Sequence, residues 1–176
     1  FDIAKKIINI GKDVLVEKPF TTNVKDAEYL YDLSESKNVN VMVGHILLFH
    51  PAINKIKKII DENKIGKLQY IYSNRLNLGR IRTEENVFWS FAPHDISVLQ
   101  YLINDFPEKI SSNGAAFIQE NIHDTTLTLL SYPNNIKCHI YVSWLHPFKE
   151  HRLVVIGSKG MLTFEDSLIN KPLKFY

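Results

Sequence analysis

Long apolar runs are missing from this sequence: no stretch approaches the roughly 20 residues that a bilayer-spanning helix needs, so no membrane partner is expected. Cysteine is almost missing as well. The single Cys138 excludes an internal disulfide framework, which fits a reducing cytoplasm, and its place in a strand pattern reads as a buried, inert thiol. Basic residues are not concentrated either. With a net charge of +2 spread along the chain there is no basic face for nucleic acid. The most basic stretch, Lys55 to Lys64, follows helical spacing and reads as the solvated side of an amphipathic helix. His45, His50 and His123 lack metal-ligand spacing to cysteine or carboxylate, so no metal is expected. Phe1 to Ile10 interleaves Asp and Lys with apolar residues, unlike a secretory leader. There is no internal repeat and no low-complexity segment. What is present is 45% hydrophobic and 23% charged residues over 176 positions, the composition of a soluble globular protein filling one domain or parts of two.

The first quarter alternates helix and strand. Ile3, Ala4, Ile7 and Ile8 repeat at helical spacing up to Gly11. Val14-Leu15-Val16 and Val39 to Val43 are short continuous apolar runs, the pattern of parallel strands buried on both faces. Between them, Asn23 or Thr22 caps a helix with Val24, Ala27, Leu30, Tyr31 and Leu33 on one side. This order is that of a doubly wound α/β layer. Two such strands do not make a domain, and the chain opens without methionine and stops directly after a strand. The first part is therefore expected to be the end of a larger unit, with sequence missing at the C-terminus too.

After Gly44 the pattern changes. His50-Pro51 opens a helix with Ile53, Ile56, Ile59 and Ile60 as its buried stripe, ended by Gly66. Leu68 to Leu78 alternates as a strand, and Pro93 starts a helix with Ile96, Leu99, Leu102 and Ile103 facing inward. Strands then follow over Ile110 to Ile118, Thr125 to Ser131, Ile136 to Trp144, Arg152 to Ile156 and Met161 to Phe164. Pro133-Asn134-Asn135 and Gly157-Ser158-Lys159-Gly160 mark tight turns, which make the strands they join antiparallel. The expected architecture is an α/β end of a Rossmann domain over residues 1–44. An α+β domain with an open, mainly antiparallel sheet follows over residues 45–176.

Three groups of residues carry chemical interest. Glu17-Lys18-Pro19 follows a buried strand, at the end where α/β sheets bind ligands; Lys18 there could reach a substrate hydroxyl or the nicotinamide ribose, or form an exposed turn. His94, in Ala92-Pro93-His94-Asp95, falls in the first turn of the expected helix, where the dipole would keep it neutral; Asp95 reads as a helix-start acid. Arg75, Arg80 and Arg82, with Asn74 and Asn77, crowd a strand end and suit a phosphate or carboxylate, or else form a solvated loop. Trp144, His146 and His151 could line a ligand cleft, or simply pack at a strand end.

Val14 to Phe20, Val43-Gly44-His45, His50-Pro51-Ala52 and His94-Asp95-Ile96, in that order, resemble the glucose-fructose oxidoreductase, inositol dehydrogenase and rhizopine-catabolism family (Gfo/Idh/MocA) over nearly the whole chain. The Gly157 to Gly160 turn resembles the family's Gly-x-x-Gly hairpin. The resemblance implies that Glu17, Lys18 and Pro19 contact NAD or NADP, that Lys18 also contacts substrate, and that His94 transfers a proton across the cleft. It implies NAD(P)-dependent oxidation of a sugar hydroxyl, with assembly into a homodimer or homotetramer through the open sheet. Val87 to Asp95 looks similar to members of nucleotide-sugar metabolism, and the group of Asn74, Arg75, Arg80 and Arg82, with Trp144, would suit such a diphosphate-linked substrate. The family's alternatives are a free-sugar, inositol or polyol substrate, or a silent dinucleotide-binding regulator. Two departures stand out. The glycine-rich cofactor fingerprint lies outside this chain, so these residues alone are expected to bind dinucleotide only weakly. Many members carry aspartate four residues before the histidine, where this chain has Ser90.

Overall fold

Helix α1 (Asp2–Asn9) precedes strand β1 (Val14–Val16); helix α2 (Val24–Lys37) leads to strand β2 (Val41–Val43). In the computed structural model, which describes residues 1–176, these four elements form one unit, Phe1–Ile46, and Leu47–Tyr176 form a second. β1 and β2 pair in parallel, with Val16 opposite Val43. The Asn23 side chain caps α2 by accepting the Asp26 amide at 2.9 Å, and Asn38 closes it in the left-handed conformation. Ala4, Ile8 and Leu30 form the core, with Val14, Val16, Leu33 and Val41 packed against it.

Within this chain one face of the two strands is covered, and Leu15, 66% exposed, and Met42, 48% exposed, lie on the other. Helices α1 and α2 supply apolar cover to the face of Val14, Val16 and Val41, and alternation turns the central residue of each strand the other way. On α2, Val24 and Tyr31 lie away from this core. Both are largely exposed, because only Leu30 and its near neighbours point at α1.

A 3₁₀ turn, Ile46–Phe49, leads into the second unit. Its elements are α3 (Pro51–Asp61), β3 (Leu68–Leu76), α4 (Val87–Ile103), β4 (Lys109–Ala115), β5 (Thr125–Ser131), β6 (Lys137–Ser143), β7 (Glu150–Gly157), β8 (Met161–Glu165) and β9 (Leu173–Phe175). The seven strands lie in the order β4-β5-β6-β3-β7-β8-β9. Every pairing is antiparallel except β3 with β6, so the sheet is open and mainly antiparallel. Strand β9 has no counterpart among the expected elements, and β3 and β4 end earlier than their alternation suggests.

Helices α3 and α4 cover one face. Ile53, Ile56 and Ile59 pack with Val98, Leu99 and Leu102 over Ile71, Ile140, Val155 and Leu162. Each such side chain contributes about 1.5–3 kcal/mol on full burial. Cys138 is buried in this core, and burial pushes its thiol up to about 12, the inert state expected from its strand. The other face, with Tyr70, Tyr72, His139, Tyr141, Leu127 and Leu129, has no helix over it, and Leu127 and Leu129 are largely exposed. No helix is long and apolar enough to cross a membrane.

Helix α4 does not begin at Pro93. Asn86 caps it, accepting the Trp89 amide at 3.0 Å, and Pro93 lies inside the helix. Its ring forfeits one hydrogen bond, which the apolar packing of Val87, Ala92, Val98 and Leu99 offsets. Ile96 turns toward solvent, while Leu99 and Leu102 point inward as expected.

Candidate functional site

Glu17-Lys18 leaves the last residue of β1, and Gly44-His45 the last residue of β2. Because the two strands are parallel and in register, both segments emerge at one carboxyl edge. The edge is tightly drawn. The Gly44 amide donates to the Val16 carbonyl at 2.8 Å, and a Cβ on Gly44 would come within 3.3 Å of Glu17 Oε2. The Lys18–Pro19 peptide is cis, and Lys18 is half-buried. A carboxylate acceptor and an ammonium donor thus share this edge, a donor set that fits the hydroxyls of a dinucleotide ribose. Burial lowers the His45 pKa below its ordinary value.

In the second unit His94 is the eighth residue of α4, beyond the first turn in which a helix dipole acts, so the expected dipole argument does not apply to it. Ser90, buried, lies one turn earlier on the same side of the helix. Asp95 is not a helix-start acid. It is 4% exposed and faces β3, where Ser73 Oγ donates to Oδ1 at 2.6 Å. Arg75 Nε reaches Oδ2 at 2.9 Å and Arg75 Nη2 reaches Oδ1 at 3.0 Å, a bidentate pair. Burial works against the Arg75 charge, but Asp95 more than offsets it and raises the guanidinium pKa above its ordinary value.

Arg75 is therefore not clustered with Arg80 and Arg82. Its fork is spent on Asp95, with Nη1 3.3 Å from His151 Nδ1, whereas Arg80 and Arg82 lie exposed in the loop after β3. Arg82 pairs with Glu85 at 3.1 Å. Asn74, the adjacent residue, points to the opposite, open face of the sheet and donates to Glu150 at 2.8 Å. Trp144 does not line a cleft: it is 1% exposed in the core, because the alternation of β6 carries it beneath α4. Sequence reasoning missed Ser73 and the role of Asp95. Nothing local joins Asp95 to Arg75, since a strand-to-helix contact leaves no periodic trace.

A small cavity of about 20 Å³ adjoins this cluster, with Ser73, Arg75, Asp95, His151 and Asp166 on its wall. A wider depression of about 450 Å³ on the open face, around Tyr72, Arg152, Lys174 and Tyr176, includes none of the residues singled out by the sequence.

Burial, then the charges of Arg75 and Lys149, lower the His151 pKa from the ordinary 6.5 to about 4. Unfolded, the same imidazole has its ordinary value, so the unfolded chain binds the extra proton first as pH falls. The contribution of a neutral His151 is complete above about pH 6.5 and is lost as pH drops toward 4. The urea midpoint should accordingly fall between pH 7 and pH 4.5, and His151→Gln should lessen that fall. Equal falls in both proteins would remove His151 from the acid response.

Residues 53–163 match the GFO/IDH/MocA C-terminal domain, and residues 1–45 match the oxidoreductase family NAD-binding Rossmann fold. An uncharacterized oxidoreductase of Streptococcus pneumoniae is 24% identical over 171 residues, covering 88% of this chain and 46% of that protein. The chain spans about half the length of the curated relatives it matches. An inositol dehydrogenase homolog from Azotobacter vinelandii, complexed with NADH and myo-inositol, has the same fold. Its TM-score is 0.89 at 16% identity, over 99% of this chain and 52% of that one. A UDP-N-acetylglucosamine 3-dehydrogenase from Acidithiobacillus ferrooxidans gives a TM-score of 0.88 at 20% identity, over 99% and 56%. With one profile matching the first unit and another most of the second, the chain belongs to the Gfo/Idh/MocA oxidoreductase family.

Proposed function

We propose that this chain is part of an NAD(P)-dependent oxidoreductase that moves a hydride between a sugar hydroxyl carbon and nicotinamide, with a nucleotide-linked sugar as substrate. Bound nicotinamide supplies the hydride acceptor. Lys18 and His94 handle the hydroxyl proton, and Glu17, Lys18 and Pro19 contact the cofactor. The support for this reading is Lys18 at the carboxyl edge of β1, within residues that match an NAD-binding Rossmann fold. The test is the full-length protein assayed for dinucleotide reduction against nucleotide sugars, free sugars and inositols. Turnover with nucleotide sugars is expected. Turnover confined to inositols would move the substrate class, and none at all would leave a dinucleotide-binding regulator.

Arg80 and Arg82 are proposed to bind the anionic part of that substrate, with Arg75 held back by Asp95. Arg80→Ala or Arg82→Ala should raise KM more than it lowers kcat, as loss of uniform binding does. Unchanged kinetics would return both to a solvated loop. The open face, with Tyr70, Tyr72, Leu127 and Leu129, is the proposed contact between subunits of a homodimer or homotetramer.

A further inference from the structure

The hydrogen-bond ladder of helix α4 is interrupted next to His94. Pro93 has no amide hydrogen, so the carbonyl one turn earlier, at Trp89, loses its helical donor. Ser97 Oγ also donates to the His94 carbonyl at 2.8 Å, a side-chain bond that competes with the ladder and tends to bend helices. The apolar contacts of Val98, Leu99 and Leu102 hold the helix to the sheet, but hydrophobic attraction is non-directional. It fixes poorly how far the helix is rotated.

Tyr101 Oη donates to Asn54 Oδ1 of α3 at 3.1 Å further along the helix, and the directional contact to the sheet comes one residue after His94. Both Asp95 oxygens are engaged by strand β3: Oδ1 accepts from Ser73 and Arg75 Nη2, and Oδ2 accepts from Arg75 Nε. Three donors on one strand set the height and rotation of this turn. His94 is separated from Asp95 by only about 100° of rotation and a 1.5 Å rise, so the direction in which its side chain leaves the helix is set with it. Arg75 is itself braced, opposite His151 in the β3–β7 ladder and 3.3 Å from its Nδ1. A buried ion pair usually adds little stability over an apolar pair of the same size, so cohesion alone does not account for it.

We infer that Arg75 and Asp95 are positioning residues that clasp α4 to β3 and thereby aim His94. The inference rests on the proposed role of His94 in proton transfer, and its test separates the two. In the full-length enzyme, Arg75→Lys keeps the charge but loses the fork, and Asp95→Asn keeps the shape but loses the charge. Each should lower kcat of the folded protein by between about tenfold and 10²-fold, the cost of a misplaced catalytic group, with KM for the dinucleotide within about twofold. The double variant should lose no more than the worse single one. A kcat within about twofold of the parent, with only a lower melting temperature, would make the clasp merely structural and overturn the inference. If His94→Ala leaves kcat unchanged, the proton-transfer reading fails, and nuclear Overhauser contacts of the His94 ring decide. Contacts rearranged by Arg75→Lys would uphold the clasp; unaltered contacts would overturn it.

Discussion

Replacing His94 by alanine in the full-length protein should lower kcat by about 10²–10⁴-fold, the usual cost of lost acid–base help. Lys18→Ala should fall in the same range. When the carbinol carbon gives up a hydride its hydroxyl must also give up its proton, because a hydroxyl that kept it would leave a high-energy protonated carbonyl. Neither side chain is replaceable by the other if they share one relay, so the double variant should lose far less than the product of the single losses. Losses that multiply would mean independent roles. Ser90, buried one helical turn before His94, has no charge to lend the relay and should matter little. Were Ser90→Ala as damaging as His94→Ala, the proton would have to pass through the serine hydroxyl.

The second large effect is on stability. Arg75→Ala would leave the Asp95 carboxylate, 4% exposed, without its bidentate partner. Breaking one half of a buried pair typically costs about 3–5 kcal/mol, a large share of the roughly 5–15 kcal/mol that holds a domain folded. Urea unfolding of the 176-residue chain should show a matching fall in midpoint at constant slope. Replacing both partners together, as Arg75→Met with Asp95→Leu, should cost much less, because no charge is then stranded. A loss below about 1 kcal/mol for Arg75→Ala would mean that water reaches Asp95. The same apolar double variant should recover stability in the full-length enzyme without recovering kcat.

Periodicity was enough to find most elements of this chain. The isoleucine stripe of α3, the alternation of β3, the Asn-rich turn between β5 and β6 and the Gly157 to Gly160 turn are local features, and they appear where the residues suggest. The order of Glu17-Lys18-Pro19, His45, His50 and His94 was likewise enough to identify the family. Other features depended on the tertiary structure. Pro93 reads as a helix start until the Asn86 cap and the packing of Val87 and Ala92 carry α4 through it. The arginines read as one cluster until alternation sends Asn74 to one face and Arg75 to the other, leaving Arg80 and Arg82 in a loop. Trp144 reads as a cleft residue until the β5-β6-β3 order places its strand inside the sheet, under a helix. Apart from the start of α4, the sequence by itself determined how each of these segments folds, because backbone preference and side-chain period act over a few residues. Which side chain meets which, as Asp95 meets Arg75, was decided by strand order and helix rotation, which exist only once distant segments have packed.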